Sequence, residues 1–165
     1  MSENIIRRLV FGKPVKRILV VGSANADASP IMEYLLKKEA GERDMIVSSA
    51  GLSAVEGQPM SLRASSFLAD RAFNKEEIHE FRSRKLSDSI VRQFELLLAT
   101  SMAVKGFLLF LYPDSTIYTF SEYALIGSDM GEMTTVDDQT YRRMCEEMAE
   151  MSKRIIARAS KNTTF

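Results

Sequence analysis

The stretch Lys16-Arg17-Ile18-Leu19-Val20-Val21-Gly22-Ser23-Ala24-Asn25-Ala26-Asp27-Ala28-Ser29-Pro30 constrains this chain more than any other. Ile18 to Val21 are a continuous apolar run rich in β-branched residues, the pattern of a strand buried on both faces. Gly22 to Ala28 are small residues with one Asn and one Asp, so the backbone can turn sharply there. Ser29-Pro30 then reads as a helix start, hydroxyl at the N-cap and proline at the first helical position. A strand, a loop of small residues and a helix N-terminus make an anion cradle, because amide donors and the positive end of the helix dipole converge on one point.

The rest of the chain repeats the alternation. Pro30 to Ala40 reads as a helix, with Ile31/Leu35 and Met32/Leu36 at i, i+4 spacing and Gly41 as its stop. Met45 to Ala50 reads as a strand, Ser53 to Pro59 as a loop, and Leu62 to Phe73 as an amphipathic helix. Asn74 to Arg84 reads as a polar connection holding the only histidine, His79. Ser87 caps a short helix, Glu95 to Ala99 form a third strand, and Thr100-Ser101 cap a helix to about Leu111. Thr116 to Phe120 read as a fourth strand and Ile126 to Asp138 as an acidic loop. A last helix, about Gln139 to Ala159, places Tyr141, Met144, Cys145, Met148, Ile155 and Ile156 on one face. Strands alternating with helices predict an α/β fold: a four-stranded parallel sheet, doubly wound, in three layers α/β/α. Ligands of such sheets bind beyond the carboxyl ends of the strands, where the loop after strand 1 lies with Ser49 to Gly51, Thr100-Ser101 and Ser121-Glu122.

Composition excludes several classes. The 22 basic and 22 acidic side chains cancel, so no global field favours nucleic acid or an anionic membrane. One cysteine, Cys145, leaves no internal disulfide, dithiol relay or cysteine-based zinc site, and neither metal nor cofactor is expected. On the apolar face of the last helix, Cys145 reads as a small core residue. No apolar run approaches the ~20 residues of a membrane span, and Arg7-Arg8 interrupt what would be a signal-peptide core, so a cytoplasmic location is expected. Residues 1–15 read as an extension, either packed on the body or an arm that touches a partner, ahead of a single domain over 16–165.

From Lys16 to about Arg158 the sequence resembles the low-molecular-weight protein-tyrosine phosphatase family. The resemblance rests on several pieces in the family's order: Val47 to Gly51, Gly57-Gln58-Pro59, His79 followed by Arg82 or Arg84, Leu96 to Met102, Glu122-Tyr123, the Asp129–Met133 loop and Tyr141. The family's signature is a phosphate loop, with a nucleophilic cysteine, five residues, an arginine and then Ser-Pro. Its chemistry needs a low-pKa thiolate inside a ring of amides and a guanidinium on the equatorial oxygens. Counted back from Ser29-Pro30, the cysteine position is Gly22, the arginine position is Ala28, and Asp27 stands where members often carry a second cysteine. The family's general acid, an aspartate in a late loop, maps to Glu132 with Met133 at the following proline. The residues that brace the loop map to Asn25, Ser29, Ser49 and His79.

The resemblance therefore implies a degenerate member, a pseudophosphatase that acts by binding a partner protein or a small ligand. Asp27 is expected to satisfy some of the loop's own amides. The alternative is residual or altered hydrolase activity at the same cleft, through a non-standard nucleophile such as Ser23 or carboxylate chemistry by Glu132 and Asp27. A solvated acidic loop is the plain reading of Asp129, Glu132, Asp137 and Asp138.

Overall fold

The computed structural model describes residues 14–161. Most of the 1–15 extension therefore lies outside the described residues. Four strands form one sheet in the order β2-β1-β3-β4: β1 (Arg17–Gly22), β2 (Ile46–Gly51), β3 (Leu96–Ala99) and β4 (Ile117–Thr119). Every pairing is parallel. β1 sits between β2 and β3, so the chain winds first to one side of β1 and then to the other. That reversal puts the topological switch point at the end of β1, the crevice where doubly wound folds hold ligands. The register pairs Gly22 with Gly51 and Val21 with both Ala50 and Ala99, which aligns the strand ends on one rim.

Alternate residues of the strands face opposite layers. Ile18, Val20, Leu96 and Leu98 pack under α1 (Ala28–Ala40), α2 (Leu62–Asp70), α3 (Lys75–Glu80) and α7 (Asp138–Lys161). Leu19, Val21, Leu97 and Ala99 pack under α4 (Asp88–Val91) and α5 (Met102–Leu111). The remaining short helix, α6 (Phe120–Ala124), follows β4 directly. All six apolar residues assigned to one face of α7 are buried, Cys145 among them. None of the helices in the described residues is long and apolar enough to cross a membrane.

The boundaries differ from expectation in three informative places. The 74–84 connection contains α3, because the Asn74 side chain accepts from the amides of Glu76 and Glu77 and so supplies an N-cap. Phe120 belongs to α6 instead of a strand, because Thr119 and Glu122 form a reciprocal capping box that starts a helix there. Helix α1 begins at Ala28 with Asp27 at its N-cap, and Ser29 is already inside the first turn. Proline is tolerated at Pro30 because amides of the first turn have no partner within the helix.

Candidate functional site

Five carbonyls at the loop between β1 and α1 accept hydrogen bonds. Gly22 O accepts from Leu52 N, Ser23 O from Ser53 N, Ala26 O from Ser61 N, and Asp27 O from Ile31 N. Asn25 O accepts from the Ser83 hydroxyl at 2.8 Å. The amides of Ser23 through Ser29, by contrast, donate to no protein acceptor among the described residues. With those carbonyls occupied, the loop leaves a run of unengaged donors at the N-terminus of a 13-residue helix, the arrangement of an anion nest.

Asn25 fixes this shape. Its φ of 57° is left-handed, which Asn tolerates better than most residues. Buried at 2% exposure, its Nδ2 donates to Ser29 Oγ at 3.0 Å and Ser49 Oγ at 2.9 Å. Its Oδ1 accepts from Arg84 N at 2.9 Å. The end of β2 presses against the same turn: a Cβ on Gly51 would lie 2.4 Å from Ser23 O, so only glycine fits there.

Three of the four predicted braces, Asn25, Ser29 and Ser49, thus meet in one buried network. His79 does not join them. It is exposed on α3, where its backbone carbonyl accepts from the Arg82 guanidinium and, among the described residues, its imidazole makes no hydrogen bond. The strand-like segment after α3 does the bracing, through Ser83 Oγ and the Arg84 amide, while the Arg84 guanidinium reaches Ser48 Oγ at 2.6 Å. Sequence reading missed Ser83 because a lone serine in a polar connection carries no local signal.

Asp27 does not plug the loop. Its Oδ1 accepts from Ser61 Oγ at 2.5 Å and from Tyr141 OH at 2.7 Å, and no loop amide reaches it. Burial, then the bond to Asp27, raises the Tyr141 phenol so that it stays a proton donor to the carboxylate. Arg63 lies 4.2 Å above the Tyr141 ring and donates to the carbonyls of Met133, Thr134 and Val136. Two connected contacts therefore tie the cradle to the late loop: Asp27 to Tyr141, and Arg63 to residues 133–136. Sequence reading also missed Ser61, whose hydroxyl caps α2 and whose reach to Asp27 is a tertiary fact.

The cleft above the cradle has a volume of ≈ 440 Å³. Gly22 to Ser29 form its floor, Thr100, Ser101 and Ala103 one wall, and Asp129 with Gly131 to Thr134 the other. Three carboxylates line it, Asp27, Asp129 and Glu132, and among the described residues no lysine, arginine or histidine does. Glu132 Oε1 accepts from the amides of Met133 and Thr134 and from the Thr134 hydroxyl, all at 2.8–2.9 Å. The Thr134 bonds chiefly hold its carboxyl below the usual glutamate range, so it rests as a carboxylate. Asp129 Oδ2 accepts from Met102 N at the start of α5. Cys145 is fully buried and belongs to the core; burial pushes its thiol up to about 12, so it holds no thiolate near neutrality. Among the described residues no group of His, Cys, Asp and Glu is placed to hold a metal ion.

Comparison with known proteins follows the same lines. The description "Low molecular weight phosphotyrosine protein phosphatase" fits residues 17–164. The chain is similar to a low molecular weight protein tyrosine phosphatase from T. tengcongensis, at 24% identity and a TM-score of 0.79, covering 87% of this chain and 99% of that one. It is similar to the YwlE arginine phosphatase from Geobacillus stearothermophilus, at 22% identity and a TM-score of 0.78, covering 87% and 92%. The tyrosine phosphatase Wzb from Escherichia coli K30, solved with sulphate, gives 20% identity and a TM-score of 0.78, covering 87% and 98%. No curated protein matches. On this sheet order, this loop and a family match over nearly its whole length, the chain belongs to the low molecular weight phosphotyrosine protein phosphatase family.

Proposed function

We propose that this protein keeps the family's scaffold without its reaction, and works as a pseudophosphatase that binds a partner or a small ligand at the cleft above Gly22–Ser29. The observation that carries this reading is the lining of that cleft, which among the described residues holds three carboxylates, no thiol and no cationic side chain. Gly22 stands where the family's nucleophile is expected and Ala28 where its arginine is expected. Loss of a covalent nucleophile costs orders of magnitude in rate by itself. Loss of the guanidinium removes charge-assisted bonds of about 1.5–3 kcal/mol each. A carboxylate ~6 Å from an added negative charge opposes it by ~3 kcal/mol at an effective dielectric of 20.

The other chemistry open to this cleft is carboxylate-based hydrolysis by Glu132 or Asp27. A general acid at neutral pH needs a raised pKa, and Glu132 is shifted the other way. Ser23 is part of the cradle, and among the described residues no basic side chain lines the cleft to take its proton. The inactive reading therefore has the stronger support. Hydrolysis of p-nitrophenyl phosphate by the purified protein tests it. The expected result is no turnover above the protein-free rate, and turnover comparable to a cysteine-bearing relative overturns the reading. A calorimetric titration with inorganic phosphate is expected to give no submillimolar binding.

A further inference from the structure

Helix α5 turns an apolar face to solvent. Val104 and Leu108 are its buried residues and pack on the sheet, and its one charged side chain, Lys105, is paired with Glu122 at 2.8 Å. At 3.6 residues per turn, Ala103, Gly106, Phe107 and Phe110 fall together on the side away from Val104 and Leu108. All four are exposed among the described residues, Phe107 at 63% and Phe110 at 85%. Met102, Leu109 and Leu111 flank them and are exposed too. An amphipathic helix carries polar residues on its outer side; this one carries aromatic and aliphatic ones, the mark of a contact surface.

The face is graded in size along the helix. Its N-terminal half presents Ala103 and Gly106, and among the described residues a Cβ added to Gly106 would meet nothing within 4 Å. Its C-terminal half presents Phe107 and Phe110. A face that holds both the large groups and the gap complements itself when it meets a copy running the other way. A two-fold axis between residues 106 and 107 brings Phe110 of each copy onto Ala103 of the other, and Phe107 onto Gly106. The area is sufficient. At ~200 Å² per aromatic side chain, Phe107 and Phe110 leave ~300 Å² in water, and Met102, Leu109 and Leu111 bring the face to ~550 Å². Two such faces bury ~1,100 Å², above the ~1,000 Å² that a specific contact needs. The formal net charge is zero, so two copies do not repel at a distance.

We propose that the protein forms a two-fold dimer by antiparallel packing of α5 on α5, with Phe107 and Phe110 of each copy seated on Gly106 and Ala103 of the other. The size grading selects a second copy as the occupant, because one face supplies both halves of the fit. The contact rests on α5 and is independent of what the cleft above Gly22–Ser29 binds. It does reach that cleft: Ala103 is also part of its wall, so Phe110 of the second copy stands at its rim.

Sedimentation velocity of the full-length protein over a micromolar concentration series tests this. The expected mass rises with concentration from 18.6 kDa toward twice that value. Phe110→Asp, at a solvent-facing position the core does not use, is expected to hold the protein at the monomer mass throughout. Gly106→Phe separates the fitted contact from general stickiness. It adds apolar area yet fills the gap, so it is expected to weaken the dimer ~10-fold or more, whereas a non-specific patch would associate more tightly. Leu62→Asp, exposed on α2, is the control and should leave the dimer unchanged. The proposal is overturned by the monomer mass at every concentration, which would give the face to an occupant other than a second copy. It is equally overturned by a dimer that survives Phe110→Asp or that Gly106→Phe strengthens.

Discussion

Substituting Asn25 by alanine should unfold much of what makes the cradle a defined shape. Three side-chain hydrogen bonds vanish: two donated to Ser29 and Ser49, and one accepted from the Arg84 amide. Each is worth ~1 kcal/mol net, and more where a buried partner is left unsatisfied. Alanine at φ 57° adds ~1 kcal/mol of left-handed backbone cost. The expected loss is ~4 kcal/mol, a large share of the ~5–15 kcal/mol that holds a typical domain together. Asn25→Gly loses the same three bonds but not the left-handed cost, so it should be ~1 kcal/mol less damaging. Urea unfolding followed by far-ultraviolet circular dichroism measures both. If Asn25→Ala falls within ~1 kcal/mol of the parent at unchanged m-value, the buried network is not what shapes the loop.

Three more outcomes follow from the same geometry. Gly51→Ala, whose Cβ would sit 2.4 Å from Ser23 O and 2.9 Å from Asn25 N, should cost ~3 kcal/mol in a urea titration, whereas Gly127→Ala, with open space around it, should be near neutral. Cys145, fully buried with its thiol pushed up to about 12, should resist Ellman's reagent at pH 8 in the native state and react in full on unfolding; native labelling at the rate of a solvent thiol would contradict this. The Glu132 carboxyl lies below its ordinary value in the folded state, so its contribution to stability is present above the ordinary glutamate range and disappears as pH falls through the lowered folded value. The stability gap between the parent and Glu132→Gln should therefore close on acidification below about pH 4, and a gap that stays constant or widens would refute that.

The sequence carried the architecture through its apolar runs. Ile18–Val21 and Leu96–Ala99 have no polar residue to turn toward solvent, and both became strands covered on two sides. The stripe from Tyr141 to Ile156 likewise dictated which side of α7 packs inward. Elements whose formation depends on a single capping side chain were harder to read: α3 exists because Asn74 caps it, and α6 because Thr119 and Glu122 close a box. At the site, loop position and composition were legible, since they are local. Side-chain destinations were not. Asp27 turns to Ser61 and Tyr141, which lie 34 and 114 residues away in the chain, and Ser83 reaches Asn25 across 58. His79 fell out of the network for the complementary reason, because α3 carries it to the surface while Ile78 takes the buried position.

The most direct test restores the missing reagents beside the untouched protein. Gly22 has room for a cysteine Cβ if Ser29 Oγ, 3.0 Å away, and Thr100 Cγ2, 3.3 Å away, give by a few tenths of an ångström. The parent and the Gly22→Cys, Ala28→Arg double variant are assayed together on p-nitrophenyl phosphate. The expected result is no turnover by the parent and a measurable, cysteine-dependent gain in the variant, since the braced loop is already in place. Parent turnover at the rate of a cysteine-bearing relative would contradict it.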